Sequence, residues 1–215
     1  MTRVLLTGFE PFGGEGTNPS WEAAALVAAD PPPGCDVTAV RLSCVFGTAL
    51  EELDAAVAAA DPDLVVCVGQ AGGRAQVTVE RVAINVDDAR IPDNAGRQPV
   101  DEPVVTDGPA AYFAPLPVKA CVAAVRAAGI PAAVSQSAGT FVCNHVFYGL
   151  AHLIATRRPA TRGGFVHLPY APGQVVDRDQ PSLPVATAAE ALRAIVTAAA
   201  RTTGADLRIA GGATH

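Results

Sequence analysis

Five cysteines and four histidines are spread through the 215 residues, and one of each stands at a position suited to chemistry. Cys143 lies in Ser137-Ala138-Gly139-Thr140-Phe141-Val142-Cys143-Asn144-His145. Here an apolar run gives way to a turn of small residues, and a helix-forming stretch begins at about Cys143. A thiol at a helix start faces the positive end of the helix dipole and several unpaired N–H groups. Both favour the thiolate and can lower a thiol pKa from about 8.5 by a unit or more. The same N–H groups can hold a developing oxyanion. Such a cysteine is suited to attack on a carbonyl, provided a base stands beside the sulfur.

The histidines differ in their fitness for that role. His145 and His152 follow Cys143 on the same helical stretch, about 200° and 180° around its axis, and so point away. His215 is the last residue of the sequence. His167, in Gly163-Gly164-Phe165-Val166-His167-Leu168-Pro169-Tyr170, ends an apolar strand. That places it at the same sheet edge as the Cys143 turn. An imidazole acting as base needs a third group to orient it. Glu80, in the strand pattern Val77–Asn85, shares a face with Thr78, Val82 and Ile84 and is expected to be partly buried. A buried carboxylate needs a partner, and either His167 or Arg74 could provide one. Asp87, Asp88 and Asp93 are alternatives, but they fall in a polar loop that they are better suited to shape. Taken jointly, Cys143, His167 and Glu80 describe a Cys-His-Glu hydrolase and leave its substrate open.

These residues must be positioned by regular elements. Apolar runs or alternation predict strands at Arg3–Gly8, Val37–Leu42, Leu64–Gly69, Val77–Asn85, Ala132–Ser137 and Gly164–Pro169. Helical patterns cover Ser20–Ala29, Gly47–Ala60, Val118–Ala128, Asn144–Thr156 and Val185–Ala200, with Asn18 or Ser20 able to cap the first. The polar stretch Val86–Thr106 is long for a loop without structure, and loops of that length are often functional. Strands alternate with helices, and several strands are apolar on both faces. The expectation is a single-domain three-layer α/β/α sandwich over residues 1–215, with a mostly parallel twisted sheet. Ligands bind such sheets beyond the carboxyl ends of the strands, where the loops after Gly8, Gly69 and Ser137 belong.

Composition narrows the class. Half the residues are apolar and 17% are charged, which suits a buried core. A formal charge of −6 and the lack of any Lys/Arg run argue against a nucleic-acid surface. The opening MTRVLLTGFEPFGG is too short and too interrupted to read as a signal peptide, and no window has the length of a membrane span. A cytoplasmic location is expected. An odd cysteine count without Cys-x-x-Cys speaks against a disulfide framework or a zinc site. Cys35, Cys44, Cys67 and Cys121 read as small buried hydrophobes.

Six ordered motifs give a resemblance over nearly the whole chain. They are Thr7-Gly8-Phe9-Glu10-Pro11-Phe12-Gly13-Gly14 with Asn18-Pro19-Ser20; Gly69-Gln70-Ala71-Gly72-Gly73-Arg74; Glu80-Arg81-Val82-Ala83-Ile84-Asn85; Asp88-Ala89-Arg90-Ile91-Pro92-Asp93-Asn94; Ser137-Ala138-Gly139-Thr140-Phe141-Val142-Cys143-Asn144; and His167-Leu168-Pro169-Tyr170. The sequence resembles the pyroglutamyl peptidase type I family of cysteine peptidases, also called pyrrolidone-carboxylate peptidases. It departs at Val79, where the family pattern has proline, and in the tail after Thr203. The resemblance implies Cys143 as nucleophile, His167 as base and acid, and Glu80 as the orienting carboxylate. Arg90 and Gln70 are expected to support the oxyanion. Phe9, Phe12, Ile91 and Phe141 would wall the pyroglutamyl ring, and Asn18, Gln70 and the main chain near Val142 would bond its lactam. No metal or cofactor is implied. The expected partners are peptides with an N-terminal pyroglutamate and further copies of the chain, as a homodimer or homotetramer.

Overall fold

The computed structural model describes residues 1–213; Thr214 and His215 lie outside the described residues. Eight strands and five helices follow one another as β1 (Thr2–Phe9), α1 (Pro19–Ala29), β2 (Cys35–Leu42), α2 (Thr48–Ala60), β3 (Leu64–Gln70), β4 (Val77–Glu80), β5 (Val82–Ile84), β6 (Ala111–Phe113), α3 (Val118–Ala127), β7 (Ala132–Ser135), α4 (Val142–Thr156), β8 (Arg162–Leu168) and α5 (Val185–Arg201). Six strands form one sheet in the order β2-β1-β3-β8-β4-β7. Neighbours run parallel except for β4 and β8, whose antiparallel pairing sets Thr78 opposite His167.

The sheet is covered on both faces, which is why its strands are apolar on both. Val4, Leu6, Val66, Val68, Val77, Val79, Val166 and Leu168 pack with residues of α1, α3 and α5. Leu5, Val65, Cys67 and Phe165 point the other way and pack with α2 and α4. The architecture is a three-layer α/β/α sandwich. By alternation, Gly69, His167, Thr78 and Glu80 all belong to the face covered by α2 and α4.

One expectation is corrected here. Val77–Asn85 is not one strand. The chain breaks at Arg81, whose N–H donates to Ser135 O (2.9 Å) and whose carbonyl accepts from Ala114 N (2.9 Å). The second half, β5, leaves the main sheet and pairs with β6 in a separate two-stranded ribbon. β6 is the strand that sequence patterning does not reveal, being only three residues long. The sheet is mostly parallel, as expected, with β4 and β7 running opposite to β1, β2, β3 and β8. Hydrophobic periodicity carries no information on strand polarity.

Local signals at the first helix agree with the sequence. Asn18 caps α1, accepting at Oδ1 from Ser20 N (3.1 Å), and Pro19 takes the first helical position, where a missing N–H costs nothing. Among the described residues, no helix is long and apolar enough to cross a membrane.

Candidate active site

Cys143 is the second residue of α4, behind Phe141 as the cap and Val142. The N–H groups of Val142, Cys143 and Asn144 precede the first helical bond, which runs from His145 N to Phe141 O (3.1 Å). They are therefore free to meet an anion. Asn144 anchors this end of the helix. Its Oδ1 accepts from Ile84 N (3.1 Å), and its Nδ2 donates to Ile84 O (2.9 Å) and Val86 O (3.0 Å).

The sulfur lies over β3. A β-carbon on Gly69 would sit 2.8 Å from Cys143 Sγ and 2.9 Å from the Phe165 ring. Gly69 is the register partner of His167 on the adjacent strand. Cys143 is thus seated beside His167 because the intervening residue has no side chain. The Phe165 ring supports His167 from behind, with centroids 4.9 Å apart.

His167 Nδ1 donates to Glu80 Oε1 at 2.8 Å, and both side chains are almost completely buried. Glu80 stands two residues beyond Thr78 on the same face of β4 and reaches diagonally to the histidine. With Nδ1 as donor, Nε2 carries the lone pair, which fixes the tautomer a base requires. The same Glu80 oxygen also accepts from Arg74 Nη1 at 2.7 Å. The two partners that the sequence offered as alternatives are both present.

The electrostatics give a consistent resting state. Burial would raise the Glu80 carboxyl, but the bond from His167 and the charge of Arg74 hold it below the usual carboxylate range. Burial pushes His167 below the ordinary imidazole value, against the pull of Glu80. Burial also pushes the Cys143 thiol well above the ordinary thiol range, with Cys44 and Glu80 adding to the effect. The expected lowering by the helix start is therefore outweighed. These directions favour a carboxylate, a neutral imidazole and a thiol at rest.

A cavity of about 370 Å³ opens beside these groups. It is lined by Phe12, Gln70, Ala71, Arg74, Asp88, Arg90, Ile91, Ala138, Gly139, Thr140, Phe141, Cys143 and His167. The Phe12 and Phe141 rings stand 6.1 Å apart, and Phe46 meets Phe141 edge-on at 5.3 Å. Gln70 Oε1 accepts from Gln174 Nε2 (2.9 Å), which leaves the Gln70 amide hydrogens to donate elsewhere. Larger hollows lie near Lys119 and Ile209 and near Pro31 and Arg193, away from this chemistry.

Of the residues expected at the site, Cys143, His167, Gln70, Arg90, Phe12, Ile91 and Phe141 border the cavity, and Val142 contributes its main chain at the helix start. Two do not belong. Phe9 is the last residue of β1, buried against Phe165. The Asn18 side chain is buried and bonded within its own loop. Its Nδ2 donates to Glu10 O (2.9 Å), and its Oδ1 accepts from Ser20 N and Ser20 Oγ. Asp87 and Asp93 also shape loops, as expected. Asp87 Oδ2 accepts from His145 Nδ1 (2.7 Å), while Asp93 holds Phe46 N (2.9 Å) and its own turn. Residues not anticipated are Thr140, whose hydroxyl donates to Asp88 O (2.7 Å), and Gln174. Arg74 was anticipated as a partner for Glu80, but not as a cavity residue. Its place after the Gly72-Gly73 turn was the available signal. Cys44, Cys67 and Cys121 are buried thiols pushed up to about 12 by burial, and Cys35 is also buried.

A family model described as pyroglutamyl peptidase matches residues 2–202. The chain belongs to the pyroglutamyl peptidase family. A pyrrolidone-carboxylate peptidase of Streptomyces coelicolor is 68% identical over all of both chains, and one of Erwinia tasmaniensis is 57% identical, again over all of both. Among solved structures of this family, pyroglutamyl peptidase I of Bacillus amyloliquefaciens superposes with a TM-score of 0.94 at 47% identity, covering 96% of this chain and 100% of that one. The pyrrolidone carboxyl peptidase of Thermococcus litoralis superposes at 0.92 with 35% identity, covering 98% and 100%.

Proposed function

We propose that this protein is a cysteine exopeptidase that hydrolyses the amide bond after an N-terminal pyroglutamyl residue and releases pyroglutamate. The observation that carries this reading is the His167–Glu80 bond of 2.8 Å, set beside the glycine over which the Cys143 sulfur lies. Family membership supplies the substrate class.

The resting thiol and neutral imidazole define the first step. His167 Nε2 takes the Cys143 proton as the sulfur attacks the acyl carbon, and Glu80 steadies the resulting imidazolium. The carbonyl electrons move onto oxygen, where the helix-start N–H groups and Arg90 can meet them. The imidazolium then protonates the leaving amine, the C–N bond breaks and a thioester remains. Water, deprotonated by His167, attacks the thioester. The thiolate leaves and recovers the proton, and pyroglutamate departs.

Selectivity follows from the cavity. The pyroglutamyl ring is flat and neutral and carries an amide. Phe12, Phe141 and Ile91 offer apolar walls, and Gln70 offers amide chemistry. An open-chain glutaminyl terminus brings an ammonium group into this setting, and desolvating it is costly. The test is hydrolysis of a chromogenic pyroglutamyl amide by the wild type and Cys143→Ala, with the glutaminyl amide as control. Cleavage of the lactam substrate alone, lost in Cys143→Ala, is expected. Comparable cleavage of both amides would point instead to an open-chain amidase. Tight lactam binding without turnover would point to a binding protein.

A further inference from the structure

We infer that Arg74 is a positioning residue for this reaction, one that ties the Glu80 carboxylate to the loop leading into Cys143. The inference rests on the reading of Cys143, His167 and Glu80 given above. Arg74 Nη1 donates to Glu80 Oε1 (2.7 Å) and Thr78 Oγ1 (2.6 Å), with Ser135 Oγ at 3.4 Å. Nη2 donates to Ser137 O (3.1 Å). One guanidinium therefore joins β4, which carries the carboxylate, to the end of β7 and the turn that delivers the nucleophile. The planar fork of arginine suits such a two-sided role, which a lysine ammonium reproduces only in part.

The burial of Glu80 makes this arrangement consequential. Its side chain is 0% exposed, and among the described residues its second oxygen, Oε2, has no hydrogen-bond partner. Arg74 is the cation paired with it, since His167 is neutral at rest. An isolated buried carboxylate next to an imidazole would draw a proton onto the ring. With Arg74 balancing the charge, the imidazole can stay neutral and keep its lone pair for the thiol. Arg74 is itself 30% exposed on the cavity side, so its charge is partly screened by solvent.

The charged and titratable groups facing the site are Arg74, Glu80, His167, Cys143, Asp88 and Arg90, with Cys44 and Cys67 behind the sulfur. Arg74 favours the deprotonated form of Glu80, of His167 and of Cys143 alike. Its removal must therefore raise the acid limb of activity, whichever of the three ionisations sets that limb.

The experiment compares wild type, Arg74→Gln and Arg74→Lys by kcat/KM against pH on a pyroglutamyl amide. It also measures, without substrate, the pH dependence of Cys143 alkylation by iodoacetamide. Thermal melts establish that each variant is folded. Arg74→Gln is expected to shift the acid limb up by about one unit and to lower kcat more than it raises KM. Its alkylation midpoint should also rise. Arg74→Lys is expected to return the limb most of the way. An unmoved limb and unmoved alkylation midpoint in folded Arg74→Gln would overturn the inference and leave Arg74 a structural tie. A wild type that cleaves no pyroglutamyl amide would defeat the proposed function instead, while the alkylation profiles still decide the role of Arg74.

Discussion

Gly69 leaves open the space in which the Cys143 sulfur rests; a methyl group there would stand 2.8 Å from Sγ. The same methyl would press on Phe165, which backs His167. Gly69→Ala should therefore move nucleophile and base apart. A displacement of this kind costs about 10²-fold in rate, and overpacking costs about 1–3 kcal/mol of stability. Steady-state kinetics with a melting curve measures both. A Gly69→Ala enzyme of wild-type kcat would show that the sulfur is not seated there during turnover.

Glu80→Gln keeps the shape of the side chain but removes its charge, so the imidazolium loses its counter-charge and the amide NH2 can turn toward His167 and reverse its tautomer. Turnover should fall by about 10²–10⁴-fold while the variant still unfolds cooperatively. Loss of folding in place of turnover would assign Glu80 a structural role alone.

The pH–rate profile should fall on both sides. His167 is held below its ordinary 6.5 by burial, so the acid limb should lie below that value. The thiol is held well above the ordinary range, so the alkaline limb should lie beyond 9. The two midpoints belong to the coupled pair and not to either residue alone. A rate independent of pH from 5 to 10 would rule out this pairing.

Stability should depend on the same groups. Folding keeps His167 neutral below its ordinary 6.5, so the unfolded chain binds that proton first. Its contribution is complete above about pH 6.5 and declines as pH falls toward the folded value. Glu80 is held below 4.5, so its contribution is present above that pH and is lost as pH falls through its folded value. Denaturant titrations across pH should show both losses, and His167→Gln should lack the upper one.

The phenylalanines separate binding from packing. Phe9 is 2% exposed in the core, and Phe9→Ala should cost about 3–5 kcal/mol. Phe12 borders the cavity, and Phe12→Ala should raise KM about tenfold or more at modest cost in stability. The opposite pattern would place Phe9, not Phe12, against the substrate.

Sequence reasoning found the layers because burial on both faces writes itself into each strand, as in Leu64–Gln70. It placed Cys143 at a helix start because a strand, a small-residue turn and a helix beginning are local features. It could not find the reversal of β4 and β7, since a period of two is the same in either direction. Nor could it place Phe9 against Phe12, which differ only in where β1 ends. Asn18 offered two uses, cap and ligand. The structure shows the cap. Glu80 has both partners, since one carboxylate oxygen accepts from His167 and Arg74 together, which a pairwise burial argument does not foresee.

The strand order has a consequence for assembly. β8, the last strand along the chain, lies between β3 and β4 in the middle of the sheet. Until it is inserted, β3 and β4 present open edges to each other, and His167 is absent from both Glu80 and Cys143. Catalytic competence and closure of the sheet are then one event. A nascent or partly unfolded chain should then carry no peptidase activity, and in refolding the first turnover should appear together with amide protection in Arg162–Leu168, not before it.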